Sequence, residues 1–549
     1  MKTFTYLRKN VIWKLLSLFL ILLASCEDTG TTSVVVYHNP FNTTLNIMFT
    51  DAQTGNPIGY GTDKAVHIQI LGSDASLVAD ISGVKHTSYE SANGFLSLGV
   101  SKSKAPSQSD PIEFTLVCTT SDYLSTSYPV IITETSHGNI TINMVAMANP
   151  PEGVVTQVNH DISVNNGLVS QTTVVTSPTI PSINTRAALT IPENAILKDA
   201  SGTALQGTLT TSLVYFSNLD ATSLASFPGG GLMANVNTGV ENTDGMFFSA
   251  GFVAIDIQDA SGRVAKTIEG TPLQLDMEIS DQTFNPITNA PVQPGDTIQL
   301  WSYEPTTGQW TLEGSAAIGG TRSNLNITAS LHHLSWYNWD WFISYGCQWG
   351  YGSAQIRFLS SILQNGQVSY INLEAYQQGS GALIGSRLGE YGYYMQIDTY
   401  DGTSGVSIYG GPSNVPIVMK AKDPSGFEMG SVDISDLCQG IYDINLVPQG
   451  IPPSDSVTVK VYGFCPSNPL DTIFPSLAFW YKDMATNLNW LPGFLTNGKA
   501  VIHNIILNHT YKLGASLDGQ WHEYNMVVNQ TNYLFGVQFT QDICNQIEQ

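Results

Sequence analysis

Leu331-His332-His333-Leu334-Ser335-Trp336-Tyr337-Asn338-Trp339-Asp340-Trp341 sits near the middle of a 549-residue chain and packs three of its ten tryptophans into six positions. The residues before it read as two β-rich modules, and those after it as two more. Its simplest reading is the closing strand of the second module, with alternate side chains buried, and a hinge to the pair beyond. Two chemical readings compete. His333 could take the proton of Ser335, so that the hydroxyl attacks the carbonyl of Leu334. Alternatively, Trp336, Trp339 and Trp341 could stack on sugar rings beside Asn338 and Asp340. Their i, i+3, i+5 spacing does not put all three on one strand face.

Length predicts about three to five domains at roughly 100 to 200 residues each. Charged residues make up only 12% of the chain, so polarity rests on hydroxyls and amides, which suits strand faces and turns. A formal charge of −23 repels phosphate backbones and argues against nucleic-acid partners.

Lys2, Arg8, Lys9 and Lys14 precede an apolar run from Leu15 to Ala24, too short for the ~20 residues a membrane span needs. Residues 1–25 therefore read as a signal peptide. Leu23-Ala24-Ser25-Cys26 resembles the bacterial lipobox, which implies diacylglycerol on Cys26, cleavage before it and acylation of the new N-terminus. Several acyl chains anchor firmly where one is marginal. Glu27 and Asp28 resemble the acidic tag that directs some Gram-negative lipoproteins to the outer face of the outer membrane. Residues 26–33 would be the lipidated tether.

Five cysteines remain. Cys347 and Cys438 bracket one expected module and Cys465 and Cys544 the next, so one disulfide within each module is the simplest pairing. Cys118 lies in the apolar run Phe114 to Cys118 and reads as a buried small hydrophobe. Without a CxxC pair or a histidine at ligand spacing, neither a metal site nor a cofactor is expected.

Residues 34–149 show short alternating strands with turns about every ten residues. The piece Asp51-Ala52-Gln53-Thr54-Gly55-Asn56-Pro57-Ile58, followed by Val66 to Ile70 and Gly94-Phe95-Leu96-Ser97-Leu98, resembles the carboxypeptidase regulatory-like, or transthyretin-like, sandwich. That family's domain is non-catalytic. Asp51 and Asp74 suit turn capping better than calcium. Asn149 to Gly153 forms a stiff junction.

Residues 154–345 carry strands at Leu209 to Ser217, Val253 to Ile257, Leu273 to Met277 and Ile298 to Tyr303. They run through Thr307-Gly308-Gln309-Trp310 to the quoted stretch. The order resembles the β-domain of cartilage intermediate layer protein-like proteins and, more distantly, ZU5 and GAIN sandwiches. His333-Leu334-Ser335 matches the tripeptide at which GAIN and some ZU5 domains cut themselves, although the GAIN cysteine framework is absent. Residues 346–449 and 454–549 read as two further sandwiches, separated by Pro448 to Pro453; Trp480, Trp490 and Trp521 fall in the last.

No Gly-x-Ser-x-Gly elbow, HExxH or phosphate loop is present. The expectation is an all-β chain of tandem β-sandwich (Ig-like or transthyretin-like) modules on a lipid-anchored N-terminus. It would act as a surface protein that binds or supports without catalysis on a separate substrate. Its partners would be the membrane, through the lipid, and a glycan or another surface protein. The alternatives are a glycan-binding surface lipoprotein and a self-cleaving ZU5/GAIN-like protein.

Overall fold

A computed structural model describes residues 35–538 apart from short internal stretches, the longest being 345–352, 361–367, 387–393, 397–405, 410–415 and 465–471. The chain is all-β, built as tandem β-sandwiches; among the described residues Ala221–Ala225 is the one α-helix. Strand formation follows the period-2 pattern. In Asn324–Leu331 exposed and buried residues alternate strictly, which puts Leu325, Ile327, Ala329 and Leu331 on one face.

The first sandwich faces the sheet of Val78–Asp80, Phe95–Ser101, Phe41–Asp51 and His137–Met144 against that of Tyr89–Glu90, His67–Leu71, Ile112–Thr119 and Thr126–Ile132. Leu45, Ile47, Phe49, Ile68, Leu98, Leu116 and Cys118 fill the space between. Burial pushes the Cys118 thiol pKa up, which suits packing rather than attack. Asp51 caps its turn: Oδ1 accepts the Gln53 and Thr54 backbone N–H groups, and Oδ2 accepts the Tyr123 hydroxyl. Gly94 has φ +86°, and a Cβ there would come within 2.8 Å of the Ile58 backbone. Only glycine lets the Asn93-Gly94 turn lie so close, and the turn sets the position of Phe95.

The second sandwich packs a ten-stranded sheet against a five-stranded one. Trp336–Ser344 is last in this module's sequence but not at a sheet edge. It lies inside the larger sheet, between Thr297–Glu304 and Asn242–Gln258, antiparallel to both. Residues 336–341 are buried without alternation, because both faces of the sheet are covered. The inner face meets the five-stranded sheet. The outer face meets the first sandwich: Leu124 and Val145 join Trp301, Trp310 and Trp336 in one apolar cluster, and Ser127 and Tyr303 share a hydrogen bond across the junction.

The third sandwich pairs Ser353–Leu359 in parallel with Ile441–Asn445, cross-linked by a two-pronged Arg357–Asp443 ion pair, and adds the sheet of 383–386, 372–377, 417–422 and 428–434. Its core, with Ile356, Phe358 and Leu373, is continuous with that of the second.

In the fourth, Leu491–Leu495, Leu477–Asp483, His509–Leu517 and Gln520–Val528 oppose a sheet centred on Asp455–Phe464. That sheet corrects the expected start of the first module. Val35–His38 belongs to the fourth sandwich, paired in parallel with Thr472–Pro475. The fourth sandwich also grips the first: Phe95 stacks on Trp521 at 4.2 Å between centroids and is flanked by Trp480 and Trp490. Val368–Tyr370 of the third touches Lys499–Ile505 of the fourth. Each sandwich therefore contacts two others, and the four close into one body.

Candidate functional site

The tryptophan strand splits its side chains between two layers. Trp336 faces the outer layer, 5.5 Å from the Tyr303 ring and 6.2 Å from that of Phe252. Trp339 and Trp341, two apart, face the inner core, and Trp341 Nε1 donates to the Thr297 carbonyl at 3.1 Å. Asn338 and Asp340 share the Trp336 face. Ser249 Oγ donates to Asn338 Oδ1 at 2.7 Å, and Asn338 Nδ2 donates to Asp340 Oδ2 at 2.8 Å. Asp340 is wholly buried, its Oδ1 has no partner, and burial holds its pKa well above the usual carboxylate range. Burial without a countercharge favours its protonated form.

This placement corrects the glycan-platform expectation. Trp336, Asn338, Trp339, Asp340 and Trp341 are each no more than 4% exposed, so no ring face is open to a sugar. Trp339 and Trp341 are closed in by the five-stranded sheet, and the outer face around Trp336 by the module's own aromatics together with the docked first sandwich, a covering that a strand-by-strand reading does not contain.

The residues of the self-cleavage reading come close in sequence but point to different partners. His333 Nε2 meets Glu313 Oε1 at 3.0 Å, and that contact, the leading cause, holds the glutamate pKa below its usual value. Ser335 Oγ is buried and donates to the Tyr303 carbonyl at 2.5 Å. Leu334 is buried between them, its N–H on the Lys266 carbonyl. His333 and Leu334 precede the strand rather than lying on it, His333 forming a single bridge to Thr267. Cys26 and the four cysteines assigned to disulfides, Cys347, Cys438, Cys465 and Cys544, lie outside the described residues.

A feature not foreseen from sequence lies in the fourth sandwich. Between its two sheets lies an apolar cleft of about 80 Å³, part of it open to solvent. Val459, Val461, Ile502 and Phe535 form one wall; Phe479, Leu513 and Met526 stand in the other. Only His522, Glu523 and Tyr524 bring polar side chains to the lining. At the rim Glu523 is held by Lys512 and by the Tyr60 hydroxyl of the first sandwich. Alternation in Val457-Thr458-Val459-Lys460-Val461 marks the inward residues, but no local signal says that space is left between them and the facing sheet.

No protein-family profile matches the chain, and no curated protein matches it in sequence. Among solved structures it is similar to a variant of BcpA, the major pilin subunit of Bacillus cereus, at 6% identity over 90% of this chain and 99% of that one, with a TM-score of 0.13. A second is the full-length major pilin RrgB of Streptococcus pneumoniae, at 7% identity over 91% and 99%, TM-score 0.13. A third is the Bacillus anthracis TIE protein, at 8% identity over 71% of this chain and 58% of that one, TM-score 0.12. This chain thus spans little more than half the length of the TIE chain. Scores this low leave function to be read from the chain's own geometry.

Proposed function

We propose that this protein is a lipid-anchored scaffold on the outer face of the outer membrane, which presents a body of four β-sandwiches and performs no chemistry on a separate substrate. The observation that carries the reading is the closure of the chain. The strand nearest the acylation signal, Val35–His38, is hydrogen-bonded into the last sandwich, and that sandwich is in turn stacked on the first through Phe95. A body whose Val35–His38 strand is locked into its fourth sandwich resists reorientation of its modules, which suits a structural or adhesive surface element. The aromatic residues that first suggest a site instead build the interior.

Metabolic labelling with palmitate tests the anchor. Label is expected on the wild-type chain and absent from Cys26→Ala, which should be released to the soluble fraction. Protease added to intact cells should degrade the wild-type chain. An unlabelled wild-type chain would overturn the anchor, and protection from protease until the cells are broken would overturn the outward orientation.

A further inference from the structure

We infer that the apolar cleft of the fourth sandwich is a binding site for a long acyl chain, and that its occupant is a fatty-acyl chain carried on Cys26 of the same polypeptide whenever the protein is off the membrane. This rests on the lipid-anchor reading and adds to it a place for the lipid.

The first observation is the chemistry of the cleft. Leu477, Phe479, Leu513 and Phe535 are half-buried along it. These side chains keep apolar surface in water that an aliphatic chain would cover. A peptide segment fits less well, because it would bring backbone N–H and C=O groups to walls nearly devoid of partners. An acyl chain brings none.

The second observation is where the chain outside the described residues begins. Val35 pairs with Thr472, and Thr472 pairs with Phe464, in the same sheet that supplies Val459 and Val461 to the cleft. At about 4.8 Å between strands and ~3.3 Å per residue, Val35 lies about 10 Å across and about 10 Å along the sheet from Val461. Residues 26–34 reach up to roughly 30 Å when extended. The chain between Val35 and Cys26 is therefore long enough for an acyl group on that cysteine to reach the cleft. Had the Val35–His38 strand stayed in the first sandwich, as the sequence suggests, this proximity would not exist.

Photo-crosslinking tests the inference. Cells producing the full chain are fed a palmitate analogue with a mid-chain diazirine and a terminal alkyne. The lipidated protein is purified, moved to detergent-free buffer and irradiated, and its peptides are mapped. Crosslinks are expected on Phe479, Leu513, Met526 and their neighbours in the cleft. Phe479→Lys should cut their yield at least fivefold while leaving the analogue on Cys26. Analogue on Cys26 with no crosslink to these walls overturns the acyl-site inference alone, and so does crosslinking confined to residues 539–549. Absence of the analogue from Cys26 overturns the anchor reading and the inference with it. The map of the unaltered chain decides the question even if Phe479→Lys does not fold.

Discussion

Replacing Phe95 by alanine should uncouple the first sandwich from the fourth. Phe95 starts the Phe95–Ser101 strand, yet its ring joins Met48, Trp480 and Trp490 rather than the core of its own sandwich. It is fully buried, stacked at 12° on Trp521 and set at 75° to Trp490. Removing a buried phenylalanine ring costs about 3–5 kcal/mol, including aromatic pair terms of about 0.5–1.5 kcal/mol each. The nearby Tyr60–Glu523–Lys512 contacts are solvent-exposed and would recover little of this. Nearly all the loss falls on the junction, so it should show as lost cooperativity rather than as unfolding of the first sandwich. In urea, fluorescence of Trp480, Trp490 and Trp521 should move to lower denaturant, ahead of the transition of the other modules. A shift below about 1 kcal/mol, with all probes still coincident, would mean that Phe95 does not couple the two sandwiches.

Asp340→Asn should remove a pH dependence. The folded carboxyl keeps its proton at pH values where the unfolded one, near 3.9, has lost it. Relative to the variant, wild-type stability should therefore fall as pH rises above about 4, by up to ~1.4 kcal/mol per unit until the raised folded value is passed, on top of the trend that both proteins share from other shifted carboxylates such as Glu313. Urea titrations of both proteins from pH 4 to 7 measure this, and parallel curves would exclude the assignment. Trp339→Ala should cost about 3–5 kcal/mol in the same assay, as a core residue does; a stable variant lacking only glycan binding would restore the surface-platform reading. Asp51→Ala should cost about 1–2 kcal/mol, localised by hydrogen exchange to the 51–58 turn, because it strips the acceptor from the Gln53 and Thr54 N–H groups.

Much of the strand content was legible because it depends on neighbours in sequence. Asn324–Leu331 alternates as an amphipathic strand must, and the spacing of Trp336, Trp339 and Trp341 implied two faces, as found. What escaped was long-range. The tryptophan stretch reads as a half-buried closing strand, and nothing within it announces that a second sandwich covers its other face. Val35–His38 looks like the opening of the first sandwich, since pairing with Thr472–Pro475 depends on closure of the entire chain. The same limit hid the cleft: its residues come from separate strands whose inward faces are predictable, but whose separation is a property of two sheets.

Pairing of Val35–His38 into the fourth sandwich is the claim on which the scaffold reading and the acyl site both depend, and one cross-link tests it. Tyr37 and Phe474 are directly paired across adjacent parallel strands, within the Cα separation a disulfide spans. The double variant Tyr37→Cys, Phe474→Cys should oxidise to an intramolecular bridge, seen as a faster band on a non-reducing gel and confirmed by mass spectrometry of the linked peptides. That bridge is expected in the folded mature protein and should be lost when denaturant precedes oxidation; two free thiols in the folded protein would mean that the two strands are not paired.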